Sequence, residues 1–232
     1  MALYVYYSDE IHSKLKRNIE FMVEIRTSQK DEELIASINL NILLLTACYV
    51  EGKLEEILKK LMEDHRQIYR EVDIDDFKIR RPINIFYNSI TDDVINRISK
   101  CTGLENYSNI WRLIMNKSLL DYDEIKELWE PTQILFQLRN VIAHGRQVSS
   151  YTVNAYWNGN RDEENFFGGY KKAEDYLIKI GLLKNRFIEN SNSNLFFSNE
   201  IADYFWDIAH KFINRIEHRA SLDELRKFLF TQ

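Results

Sequence analysis

Among the residues able to move a proton or hold a phosphate, Arg139, Asn140 and His144 stand at a spacing that suggests one site, in the run RNVIAHG. Histidine exchanges protons near neutral pH and serves as general acid or base. Arginine carries a permanent charge on a planar fork that matches phosphate oxygens. A helix C-terminus carries partial negative charge, so a histidine there is favoured as imidazolium. The same residues also have a plainer reading. His144 then caps the last carbonyls of a helix and Arg139 sits in a surface ion pair, an arrangement common by chance.

The element that must position these groups is a helix within the stretch Pro131–Val148. Pro131 suits a first helical turn, where its missing N–H is not needed. Ile134, Leu135, Leu138, Val141 and Ile142 recur at helical period, and Gly145 can take the left-handed conformation that closes the helix. At about 100° and 1.5 Å per residue, Arg139 and His144 lie about 140° apart around the axis and about 7.5 Å apart along it. Asn140 and His144, at i and i+4, share a face. Arg139 and His144 therefore converge only if the helix ends near His144, if Arg139 reaches across, or if a second copy of the motif completes the site. The third arrangement calls for a dimer.

The run Arg139-Asn140-Val141-Ile142-Ala143-His144-Gly145 resembles the Arg-x4-His signature of the HEPN superfamily, and its RN…AHG form is similar to the RiboL-PSP-type bacterial branch. The match covers about ten residues, with agreement of helical pattern elsewhere. The resemblance implies an all-helical, dimeric protein and metal-independent ribonuclease activity in a toxin–antitoxin, antiviral-defence or RNA-processing setting. It assigns Arg139, Asn140 and His144 to catalysis and needs no cofactor. HEPN toxins paired with nucleotidyltransferase antitoxins tend to carry Tyr two residues after the His. Here that position is Arg146, a departure from regulation through such a tyrosine and from that type of antitoxin.

Composition sets the bounds. The 232 residues are 45% hydrophobic, with only 7 Gly and 2 Pro, which favours a helical chain with an ample core. The net charge of −5 makes no electrostatic case for nucleic acid overall, so an RNA surface must be a local basic patch. Cys48 and Cys101 lie far apart. They suggest inert thiols rather than a disulfide framework, with Cys48 buried in an apolar helix. The start, MALYVYYSDE, lacks a secretory pattern. The apolar run Ile38–Val50, interrupted by Asn39, Asn41 and Thr46, is too short to span a bilayer. A cytoplasmic protein without a membrane role is expected.

In chain order, residues 3–7 (LYVYY) are expected as a strand or extended arm, and Ser8 as the cap of a first helix. Asp31 starts a second helix reaching about Glu71. Its middle is apolar on nearly all sides, which suits a central position, and Glu51 is expected as an exposed charge. EVDIDDFKIRRPINIF, with Asp73, Asp75, Asp76, Arg80, Arg81 and Pro82, is expected as a loop. Further helices start at Thr91 or Asp92 and cover Ser108–Leu120, Gly103 acts as a stop, and Asp121–Glu130 (DYDEIKELWE) reads as helix or as an approach to the motif helix. After the motif, Tyr151–Trp157 and Asn158-Gly159 suggest a small β-hairpin. NGNRDEENFFGGYKK reads as a loop whose Arg161, Lys171 and Lys172, beside Phe166, Phe167 and Tyr170, suit single-stranded RNA. Its plainer reading is a surface loop. Ala173–Leu183 is a short helix stopped near Gly181, and Ser198 or Asn199 caps the last long helix. His210 and His218 are not at metal-ligand spacing, and the zinc helix pattern is absent from the sequence.

These readings combine into one all-α domain over 1–232, a bundle of about five main helices with a small β-hairpin after the motif helix. The functional expectation is an endoribonuclease. His144 moves the proton in attack by a ribose 2′-OH, Arg139 neutralises the phosphate and Asn140 orients His144. Arg146, Arg161, Lys171 and Lys172 bind RNA, and the site is shared across a homodimer. An antitoxin or defence-system component is the expected further partner. The alternative is a non-catalytic helical module that binds RNA, a nucleotide or a protein.

Overall fold

The computed structural model describes residues 3–71, 77–143, 163–184 and 197–220. All seven longer elements among them are α-helices, and no β-strand occurs among the described residues. The all-α class therefore holds. The residues expected to form the hairpin, 151–159, lie outside the described set.

Helix α1 runs Leu3–Ser28, so residues 3–7 are helical rather than extended. Their aromatic run is β-prone, but it leads directly into a helical stripe, and adding residues to an existing helix is far easier than nucleating one. Ser8 thus lies inside α1 instead of capping it. Helix α2 spans Glu32–Glu71. Asp31 starts it by accepting the backbone N–H groups of Glu33 and Leu34 at 2.9 and 3.2 Å. Leu43, Ala47, Val50, Leu54, Leu58 and Leu61 bury one continuous stripe along it.

Helix α3 covers Phe77–Ser99, which replaces two expectations: the loop over 77–86 and a helix start at Thr91. Its inward positions Tyr87, Thr91, Val94 and Ile98 repeat at helical period, so the helix must begin upstream of Thr91. The Thr91 hydroxyl donates to the Tyr87 carbonyl at 2.9 Å, one turn back, rather than capping. Helix α4 is Leu104–Met115, shorter than and shifted from the expected 108–120. Gly103 stands at its N-cap position with φ +83°, a conformation that favours glycine. A 3-10 turn at Leu119–Asp121 follows, closed by reciprocal bonds between Ser118 and Asp121.

Helix α5, Asp123–Ala143, carries the motif and contains Pro131 well inside it. The stretch 121–130, read as helix or an approach, and the motif helix are thus one helix, which starts eight residues before the expected Pro131. Pro131 lacks the N–H that the Glu127 carbonyl would otherwise accept. Helix α6, Glu163–Lys179, occupies most of the segment expected as a loop, with Gly168 and Gly169 inside it. Its end follows the left-handed pattern. Gly181 has φ +78°, Gly181 N–H bonds the Ile178 carbonyl at 3.0 Å, and Leu182 N–H bonds the Leu177 carbonyl at 2.9 Å. Helix α7, Asn199–Arg219, begins as expected at Ser198, whose hydroxyl accepts from Ile201 N–H.

The chain forms two compact units. The first comprises residues 1–49 and 130–210, the second 50–129 and 211–232. In the first unit the core includes Ile42, Leu43, Leu135, Leu138, Leu177 and Phe205. Arg26 at the end of α1 is also buried there, 5% exposed. Its guanidinium donates to Asn39 Oδ1 at 2.7 Å and Asp203 Oδ1 at 2.6 Å. The Asn39 amide donates to the Phe197 carbonyl and to Asn199 Oδ1. This network ties α1, α2 and the start of α7 together.

In the second unit Leu54, Leu58, Trp111, Ile125 and Phe212 are buried, and Trp129 packs on Phe212 with ring centroids 6.3 Å apart. Glu51 is half-buried rather than exposed, and its carboxylate accepts the Gly103 N–H at 3.0 Å. It therefore holds the entry to α4. Tyr122 lies beneath two cations, Lys117 at 4.2 Å and Arg219 at 5.1 Å.

One sequence expectation about α2 changes. Cys48 is exposed, not buried, because the helix turns this position away from the stripe. The stretch Glu32–Gln67 is long and apolar enough to cross a membrane by length and composition, a test that the buried core helix of a water-soluble protein also passes. Asn39 and Thr46 are fully buried within this helix. Thr46 donates to the Ile42 carbonyl at 2.7 Å.

Candidate functional site

The described part of the motif, residues 139–143, occupies the C-terminal end of α5, in the first unit. Leu135 and Leu138 are fully buried and Ile134 nearly so, while Val141 and Ile142 are half-buried. The apolar stripe thus anchors the helix along the expected side and loosens toward its end. Phe136, off that stripe, is also buried. It carries Arg139 one turn later, whose guanidinium carbon lies 5.1 Å from the ring centroid. A cation over an aromatic face is attracted by the ring's electrons. Arg139 is half-buried and Asn140 is exposed, so two adjacent residues differ in access because α5 turns about 100° between them. His144, Gly145 and Arg146 lie outside the described residues, as does Arg161.

Lys171 and Lys172 are exposed on α6, in the same unit as Arg139 and Asn140. They project from a helix and not from the loop expected there. The two helices are joined by a 3.3 Å ion pair from Lys179 to Glu130. Behind α6, Tyr176 and Tyr204 meet hydroxyl to hydroxyl at 2.5 Å. Burial, followed by the bond to Tyr204, pushes the Tyr176 phenol well above its ordinary range. It stays protonated and acts as a fixed hydrogen-bond partner.

Other polar groups have surroundings that the sequence did not indicate. The Arg26–Asn39 network has no local signature, since its partners lie up to 177 residues apart in sequence. Tyr49, Trp206 and His210 form an aromatic group, with the Trp206 and His210 rings 4.0 Å apart. His210 Nδ1 lies 3.2 Å from the Trp206 carbonyl. A carbonyl only accepts, so Nδ1 carries the hydrogen there. Cys101 is half-buried, and burial, then the nearby Glu51 and Glu55 carboxylates, push its thiol up. It is a poor nucleophile at neutral pH. Among the described residues no group of three or more His, Cys, Asp or Glu side chains is placed to hold a metal. Comparison with protein-family models, with curated proteins and with solved structures found no match to this chain.

Proposed function

We propose that the protein is a HEPN-type, metal-independent endoribonuclease whose active site is shared between two copies of the chain. What carries this reading is the Arg139-Asn140-x3-His144 run of the sequence, whose Arg139 and Asn140 stand at the end of a well-anchored helix, among described elements that are all helical. Buried Leu135 and Leu138 hold α5, Arg139 lies over the Phe136 ring, and Asn140 is exposed beside it. In the proposed reaction, His144 of one motif removes the 2′-OH proton and its counterpart in the second copy protonates the leaving 5′ oxygen. The 2′ oxygen bonds to phosphorus as the P–O5′ bond breaks, leaving a 2′,3′-cyclic phosphate. The two Arg139 side chains offset the charge that builds on the phosphate, and preorganised cations of this kind supply a large share of such catalysis. Asn140 orients His144, while Lys171, Lys172, Arg146 and Arg161 track the RNA backbone.

A second reading is favoured by one observation: the half-buried stacking of Arg139 on Phe136. In that reading the motif is architectural, and the protein is a helical module that binds RNA, a nucleotide or a protein without cleaving. The setting proposed for either reading is a toxin, defence or RNA-processing system in the cytoplasm, with an antitoxin or defence component as further partner.

RNA cleavage in EDTA separates the two. Wild type is expected to cleave, and His144→Ala, checked for folding and self-association, to lose at least about 100-fold in rate. Equal activity in both proteins removes His144 from catalysis. Absence of cleavage by a folded, dimeric wild type over a broad RNA panel favours the binding module.

A further inference from the structure

A pair of side chains in the second unit is independent of the motif. His65 on α2 and Tyr87 on α3 stack nearly parallel, at 6°, with centroids 5.6 Å apart. The Tyr87 hydroxyl lies 2.6 Å from His65 Nδ1. Both side chains are half-buried. Neutral imidazole with its hydrogen on Nε2 can accept the phenol proton at Nδ1, and this is the tautomer the contact favours.

The flanking groups are charged. Asp64 and Arg66 adjoin His65 on α2. Arg66 pairs with Glu63 on its own helix and with Asp92 on α3. Lys60 faces Asp64, whose carboxyl is raised by burial and lowered by that lysine. Burial alone pushes the His65 imidazole below its ordinary value. Two links therefore join α2 to α3 at adjacent α2 positions, and one of them depends on a neutral imidazole.

We propose that the His65–Tyr87 pair is a proton-sensitive latch between α2 and α3, which holds at neutral pH and loosens when His65 takes up a proton. Protonation at Nδ1 turns the acceptor into a donor. Tyr87 must then reverse its hydroxyl and accept, and its own hydrogen needs another partner. The imidazolium must also be held in a half-buried place.

The sign follows from proton linkage. A histidine whose folded value is lowered binds fewer protons folded than unfolded. The stability it contributes is complete above the unfolded value near 6.5 and is lost as pH falls toward the folded value.

The test uses the full-length chain at pH 7.5 and 5.5. Amide hydrogen exchange in α3, corrected for intrinsic rate, is expected to speed up by at least about threefold at the lower pH in wild type. The same ratio is expected near one in His65→Gln. NMR titration of the wild-type His65 ring provides a second readout that needs no variant, with an expected midpoint below that of an exposed histidine. An ordinary or raised midpoint overturns the latch, as does an unchanged exchange rate in wild type or the same acceleration in a folded His65→Gln protein.

Discussion

At the scale of single residues, the polar groups that matter to the fold are those whose partners are remote in sequence. Arg26 is buried with Asn39 and Asp203 as its partners. Replacing it with Met preserves much of the volume but leaves the Asn39 carbonyl oxygen without this donor. Because Asp203 is half exposed, water can take over its side of the bond, so the cost is discounted. Arg26→Met is expected to lower unfolding free energy by about 2 kcal/mol, measured by urea denaturation. A loss under about 0.5 kcal/mol would mean the network adds nothing net. The proposed RNA contacts belong to this scale as well. The Lys171→Glu, Lys172→Glu double variant changes two exposed positions, so unchanged stability is expected. RNA affinity at low salt should fall at least about tenfold with a shallower salt dependence. Unaltered affinity removes α6 from the RNA path.

At the scale of elements, α5 and α4 make contrasting predictions. Pro131 inside α5 removes one helical hydrogen bond, and proline in a helix interior costs about 3 kcal/mol. Part of that is offset by its buried ring and by its restriction of the unfolded chain. Pro131→Ala is expected to stabilise by about 1 kcal/mol, read from the urea midpoint. A destabilised variant would show that the ring fills a place a methyl group cannot. Gly103, by contrast, has φ +83° with nothing within 4 Å of an added Cβ. The cost of Gly103→Ala is therefore conformational rather than steric, about 2 kcal/mol. If the variant matches wild type, the Glu51 bond at this position sets the entry to α4 without help from glycine.

At the scale of the whole molecule, the proposed activity requires two chains. Sedimentation equilibrium at micromolar concentration is expected to give twice the chain mass. Mixing His144→Ala with Arg139→Ala chains should give less activity than wild type but more than either variant alone, since a composite site loses different groups from each half. A strictly monomeric chain that still cleaves RNA would place the whole site in one copy. The net charge of −5 also sets a condition here: RNA affinity should depend on the motif end of α5 and on α6 rather than on the surface at large.

The sequence by itself determined the helical class, the long α2 with its Asp31 cap, the stop at Gly181 and the last helix from Ser198 with its buried Ile201, Phe205, Phe212 and Ile216. These are local signals, because caps act over three residues and stripes repeat every three or four. The RNVIAHG run was legible for the same reason. Helix extension and tertiary structure decided the rest. Residues 3–7 are helical despite their β-prone aromatics, α3 begins before Thr91, Pro131 lies inside α5, and α6 runs through Gly168 and Gly169, because adding a residue to an existing helix costs less than nucleating one. The fold alone turned Cys48 outward and gave Glu51 and Arg26 their partners, since the partner of a buried charge is chosen across distances that sequence spacing does not encode.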